Sequence, residues 1–69
     1  MNIKLIPKYE IGQKIDVKVF IDEKLASTKH FIINNIKATY DFASEEITYD
    51  YELRLDDEFG YIYGWFKLS

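Results

Sequence analysis

ITYDYELRLDDEFGYIYGWF, residues 47–66, carries the cleanest alternation in the chain and most of its aromatic side chains. Along the first arm Ile47, Tyr49, Tyr51, Leu53 and Leu55 point one way, while Thr48, Asp50, Glu52, Arg54 and Asp56 point the other. This is the period of two expected of a half-buried strand. The second arm runs from Tyr61 to Phe66, so the stretch predicts a β-hairpin whose turn holds Asp56, Asp57 and Glu58.

The segment upstream supplies a partner for the first arm. From Phe31 to Phe42 the chain reads as a strand in which Ile36, Ala38, Tyr40 and Phe42 alternate with Lys37, Thr39 and Asp41. Phe31, Ile32 and Ile33 form a continuous apolar run before Asn34 and Asn35, and a bend or bulge at the asparagines would turn Phe31 and Ile33 inward. With Ala43–Glu46 as the loop, Phe42 faces Ile47, Tyr40 faces Tyr49, Ala38 faces Tyr51 and Ile36 faces Leu53. The opposite face then sets Lys37 against Glu52, Thr39 against Asp50 and Asn35 against Arg54. One face is dry and the other polar, a consistency that specifies register.

The last strand admits two registers. A four-residue loop, Asp56–Phe59, sets Leu55 against Gly60, sends Ile62 and Phe66 inward, and leaves Tyr61, Tyr63 and Trp65 on the outer face beside Asp50, Glu52 and Arg54. A five-residue loop through Gly60 flips every side chain, so that Tyr61, Tyr63 and Trp65 become core. The first is favoured, because Ile, Phe and Leu bury without polar atoms to satisfy, whereas Tyr and Trp prefer a wet edge.

Nearer the N-terminus, Gln13 to Ile21 reads as a strand with Ile15, Val17, Val19 and Ile21 on one face and Phe20 as the large apolar group on the other. Asp22 to His30, DEKLASTKH, is polar and without period, and is expected to be the longest loop. Pro7 predicts an edge strand or an irregular lead-in over residues 1–12, and an edge at 2–6 would be free to pair with a second copy.

Composition bounds the remainder. At 69 residues the chain is expected to be one domain, residues 1–69, too small for a large active-site cleft. It has no cysteine, which excludes disulfides, a thiolate nucleophile and a cysteine-based zinc site. Aromatic residues make up 17% of the sequence, so burial of rings must replace such staples. There is no apolar run of membrane-spanning length and no signal-peptide pattern in MNIKLIPKYE, from which a cytoplasmic protein without membrane association is expected. The net charge of −3 is unevenly spread. Residues 1–37 carry seven Lys against four acids, giving +3, and residues 38–69 carry eight acids against Arg54 and Lys67, giving −6.

The opening KYEIGQKIDVKV, the YELRLDDE strand and turn, and the closing GWFKLS are similar to an SH3-like barrel. Small proteins of this look occur among the accessory reading frames of phages and related mobile elements. The resemblance implies an all-β fold, a small SH3-like barrel or a strongly bent antiparallel sheet of four to five strands.

No catalytic, cofactor or metal site is expected. A general acid must be held protonated, usually by burial, yet the acidic pairs Glu45–Glu46 and Asp56–Asp57–Glu58 fall in predicted turns. Those acids also lack the alternating spacing of a calcium loop. The single histidine, His30, has no second ligand or nucleophile near it in sequence, and the three glycines form no phosphate loop. The expectation is a non-enzymatic module that binds a protein through Tyr61, Tyr63, Trp65, Arg54 and the turn Asp56, Asp57 and Glu58. Two alternatives follow from charge: an inhibitor whose acidic half mimics nucleic acid, and a weak nucleic-acid binder using the lysines of residues 1–37.

Overall fold

Extended segments pair their backbone N–H and C=O groups with neighbouring strands, and in the computed structural model, which describes residues 4–68, the alternating segments do so in one four-stranded antiparallel sheet. The strands β1 (Lys14–Ile21), β2 (Lys24–Asp41), β3 (Glu46–Leu55) and β4 (Ile62–Phe66) lie side by side in chain order. The sheet is open, with β1 and β4 at its edges, so the expected all-β antiparallel architecture is present without the closure of a barrel. Among the described residues no helix is long and apolar enough to cross a membrane.

The stretch expected to be the longest loop is strand. Asp22 and Glu23 alone make the β1–β2 turn, with φ of 51° and 63°, the left-handed pair of a type I′ hairpin that suits the twist of the flanking strands. Lys24–His30 then forms the first part of β2. The hydrophobic period disappears there for a physical reason: the ladder with β3 begins only at Phe31, so residues 24–30 lie in a ladder with β1 on one side only, and every one is exposed.

β2 and β3 pair as expected in face but not in register. Tyr40 faces Ile47, Ala38 faces Tyr49 and Ile36 faces Tyr51, a slip of two positions that preserves the inward set because side-chain direction repeats every two residues. The turn imposes the slip. Asp41 pairs with Glu46, its Oδ1 accepts from the N–H of Ala43 at 2.9 Å, and Glu45 closes the reversal at φ 57°. Phe42 is thereby left outside the ladder, 83% exposed, with its ring against Tyr40. The bulge anticipated at the asparagines is present between Ile33 and Asn35, and it brings Phe31 and Ile33 into the core.

Among the described residues four side chains are buried, namely Phe31, Ile33, Tyr51 and Leu53. Residues 4–13 cross their face as an irregular strap, with no edge strand over the described part of 2–6; residues 2 and 3 lie outside the described chain. Tyr9 sets its ring edge-on to Tyr51 at 5.2 Å. A turn over Glu10–Gln13, with Gly12 at φ +88°, hands the strap to β1, and there Gly12 N–H donates to Ile33 O at 2.7 Å. Among the described residues the strap lies against the Tyr49–Tyr51 end of the sheet. The molecule is thus a thin plate, 44 × 30 × 15 Å, with a radius of gyration of 14.5 Å against about 11 Å for a compact chain of this length.

Candidate functional site

The last hairpin uses both registers that its sequence allowed. Leu55 N–H donates to Tyr61 O at 2.8 Å, which makes Asp56–Gly60 a five-residue loop. Further along, Leu53 faces Gly64 and Tyr51 faces Phe66, the parity of the shorter loop. The change occurs at a bulge where Tyr63 is the extra residue and Gly64 takes φ +124°, a conformation open to glycine and strained for other residues.

The expected strip of Tyr61, Tyr63 and Trp65 on one outer face is therefore divided. All three are exposed, at 66%, 49% and 44%, but in three surroundings. Trp65 stands opposite Glu52 on the polar face, with Lys37 Nζ 5.9 Å from its ring centroid. Tyr63 turns to the core face, edge-on to Phe31 at 5.2 Å. Tyr61 stays at the turn, its ring 6.1 Å from that of Phe59.

Within the turn the acids have different tasks. Asp57 Oδ1 accepts from Phe59 N–H at 3.0 Å and Gly60 N–H at 2.8 Å, so Asp57 shapes the loop rather than presenting charge. Asp56 N–H donates to His30 O at 3.0 Å and its carboxylate sits 3.6 Å from Lys14 Nζ, tying the turn to β2 and β1. Glu58 is exposed. Arg54 is half-buried beneath the turn, and a Cβ at Gly60 would come within 3.4 Å of Arg54 Cδ. What the turn offers outward is Phe59 and Tyr61, 72% and 66% exposed, flanked by carboxylates.

On the core face, the half of the sheet beyond the strap is an uncovered groove of about 270 Å³. Val17 and Val19 form one wall and Tyr63 and Phe66 the other, with Phe31 and Leu53 as floor and Lys29 at the rim. Lys29 Nζ lies 5.7 Å from the Tyr63 ring centroid and 3.5 Å from its hydroxyl. The sequence offered a signal for Val17 and Val19, the alternation of β1, and none for Lys29, which sits in the segment expected to be a loop.

The polar face is laced by pairs. Lys67 Nζ bonds Asp50 at 2.9 Å, Asn34 Nδ2 donates to Glu52 at 2.6 Å, and His30 Nδ1 lies 2.6 Å from Asp16 Oδ1 across directly opposed positions. Among the described residues no group of three or more His, Asp or Glu side chains is placed to hold a metal ion.

These features define a single-layer all-β protein whose distinctive chemistry is on its surfaces: an aromatic, acid-flanked turn and an uncovered apolar half-face. No protein-family model, curated protein or solved structure matches the chain.

Proposed function

We propose that this is a non-enzymatic binding module that takes a protein partner on its C-terminal hairpin, the contact centred on Phe59 and Tyr61 and edged by Asp56, Glu58 and Arg54. The supporting observation is the Asp57-capped turn, which holds two large rings in water at 72% and 66% exposure. Ordering such a loop in advance lowers the entropic cost of binding. Aromatic anchors within a polar rim are the usual makings of a binding hot spot. The acids favour a partner surface that is basic around an apolar patch.

Trp65 and Tyr63, expected to share this surface, contribute from other faces of the sheet and are secondary to it. An SH3-like ancestry, a phage or mobile-element origin and a cytoplasmic location belong to the same proposal. The nucleic-acid-mimic alternative has less support, because Asp50 and Asp56 are each drawn to a lysine.

The test is photo-crosslinking from position 58 in the native host, comparing the unaltered protein with Phe59→Ala/Tyr61→Ala. Loss of the same cross-linked protein in a variant whose circular dichroism is unchanged is the expected result. Undiminished cross-linking by that variant rejects the turn as the binding surface.

A further inference from the structure

We infer that the free edge of β1 pairs antiparallel with the β1 edge of a second copy, about a two-fold axis at Val17, joining two four-stranded sheets into one. The inference does not depend on the turn proposed above as the partner site. Its first support is backbone direction. Along an antiparallel ladder, residues alternate between turning their N–H and C=O toward the partner strand and turning them away. Ile33 N–H donates to Gln13 O, while His30 O accepts from Asp56 N–H on the side away from β1. Asp16, opposite His30, therefore turns its own N–H and C=O to the open edge, and Lys14 and Lys18 do the same. The extra residue of the nearby bulge, Ala26, lies on β2, so β1 keeps this alternation through Phe20. Among the described residues no strand pairs with that edge. A row of such groups is completed by another extended strand.

The second support separates the two edges. β4 has five residues, a bulge, and Gly64 at φ +124°, features that blunt an edge. β1 has eight residues, with neither proline, glycine nor a positive φ among them. The third support is self-complementarity, which identifies the occupant. A two-fold axis normal to the sheet keeps polar face beside polar face. Centred at Val17, it sets Asp16 opposite Lys18 of the second copy, twice over, and Lys14 opposite Phe20. On the apolar face Val17 meets Val17 and Ile15 meets Val19. Moving the axis to Asp16 would oppose Asp16 to itself and Lys14 to Lys18, and moving it to Lys18 would oppose that lysine to itself. Like charges directly opposite one another are destabilising, so the charges of β1 select one register. The axis also closes the assembly at two.

Sedimentation equilibrium from micromolar to millimolar concentration reads the assembly directly, and the expected mass is twice that of the chain. Lys18→Pro removes an outward N–H without removing a bond to β2, and should return the single mass with circular dichroism unchanged. Asp16→Lys alone, or Lys18→Asp alone, sets like charges opposite one another in both pairs and should weaken the dimer at least about tenfold. An equimolar mixture of those two variants restores unlike pairs and should regain the double mass. Phe59→Ala/Tyr61→Ala leaves the dimer intact, which separates this edge from the turn. A protein that stays monomeric at millimolar concentration overturns the inference. So does a dimer that survives Lys18→Pro with the fold retained, or a mixture of the two charge variants no more associated than either alone.

Discussion

The hydroxyl of Tyr51 accepts the backbone N–H of Lys8 at 2.9 Å, joining the most buried aromatic ring in the sheet to the strap that covers it. Tyr49 repeats the arrangement one turn of the alternation away, accepting from Ile6 N–H at 2.9 Å. The two phenols act as posts on which residues 6–8 hang. Tyr51→Phe keeps the ring, and with it the contact to Tyr9, but leaves the Lys8 N–H without this acceptor. A loss of about 1 kcal/mol is expected, seen as faster amide exchange at Lys8 with little change in β2 and β3.

Ile33 is fully buried at the bulge, where its N–H donates to Gln13 O at 2.9 Å and its side chain meets Leu53 across the ladder. Ile33→Ala removes the centre of a four-residue core and leaves a void that a thin sheet has little means to fill. The expected cost is about 2–5 kcal/mol, comparable with the whole stability of a domain this small. Urea denaturation monitored by Trp65 fluorescence should show a lost or strongly lowered midpoint.

Phe42 gives the opposite expectation. Had it faced Ile47, its truncation would cost as much as that of any core aromatic. At 83% exposure, with its ring only against Tyr40, Phe42→Ala should cost less than about 1.5 kcal/mol. The same urea measurement distinguishes the two registers.

Backbone conformation supplies two predictions of opposite sign. Glu23 is an L-residue at φ 63° in a two-residue turn, so Glu23→Gly removes steric strain and should stabilise by about 1 kcal/mol. Gly64 is the converse. A Cβ there would meet nothing within 4 Å, yet φ +124° is unfavourable for any side chain, so Gly64→Ala should destabilise by about 1–3 kcal/mol through the backbone alone. Thermal unfolding checks both, with a shift of about 4–8 °C expected per kcal/mol in a domain of this size.

Alternation within the chain was sufficient to establish the all-β class, the inward set Tyr49, Tyr51 and Leu53, and the bulge at Asn34–Asn35 that admits Phe31 and Ile33. Each depends on the period of two, which a sequence displays directly. Register did not follow, because shifting β2 against β3 by two residues leaves both faces unchanged, and the choice fell to the Asp41 side chain and Glu45 backbone in the turn. Lys24–His30 looked like a loop because only one strand pairs with it, and a ribbon wet on both faces has no apolar period to show. The division of Tyr61, Tyr63 and Trp65 among three surroundings required the bulge at Tyr63, where one extra residue reverses the direction of every side chain beyond it. The uncovered half-face, too, was decided by tertiary structure: alternation marks which side chains seek burial, and only the path of the strap determines which of them obtain it.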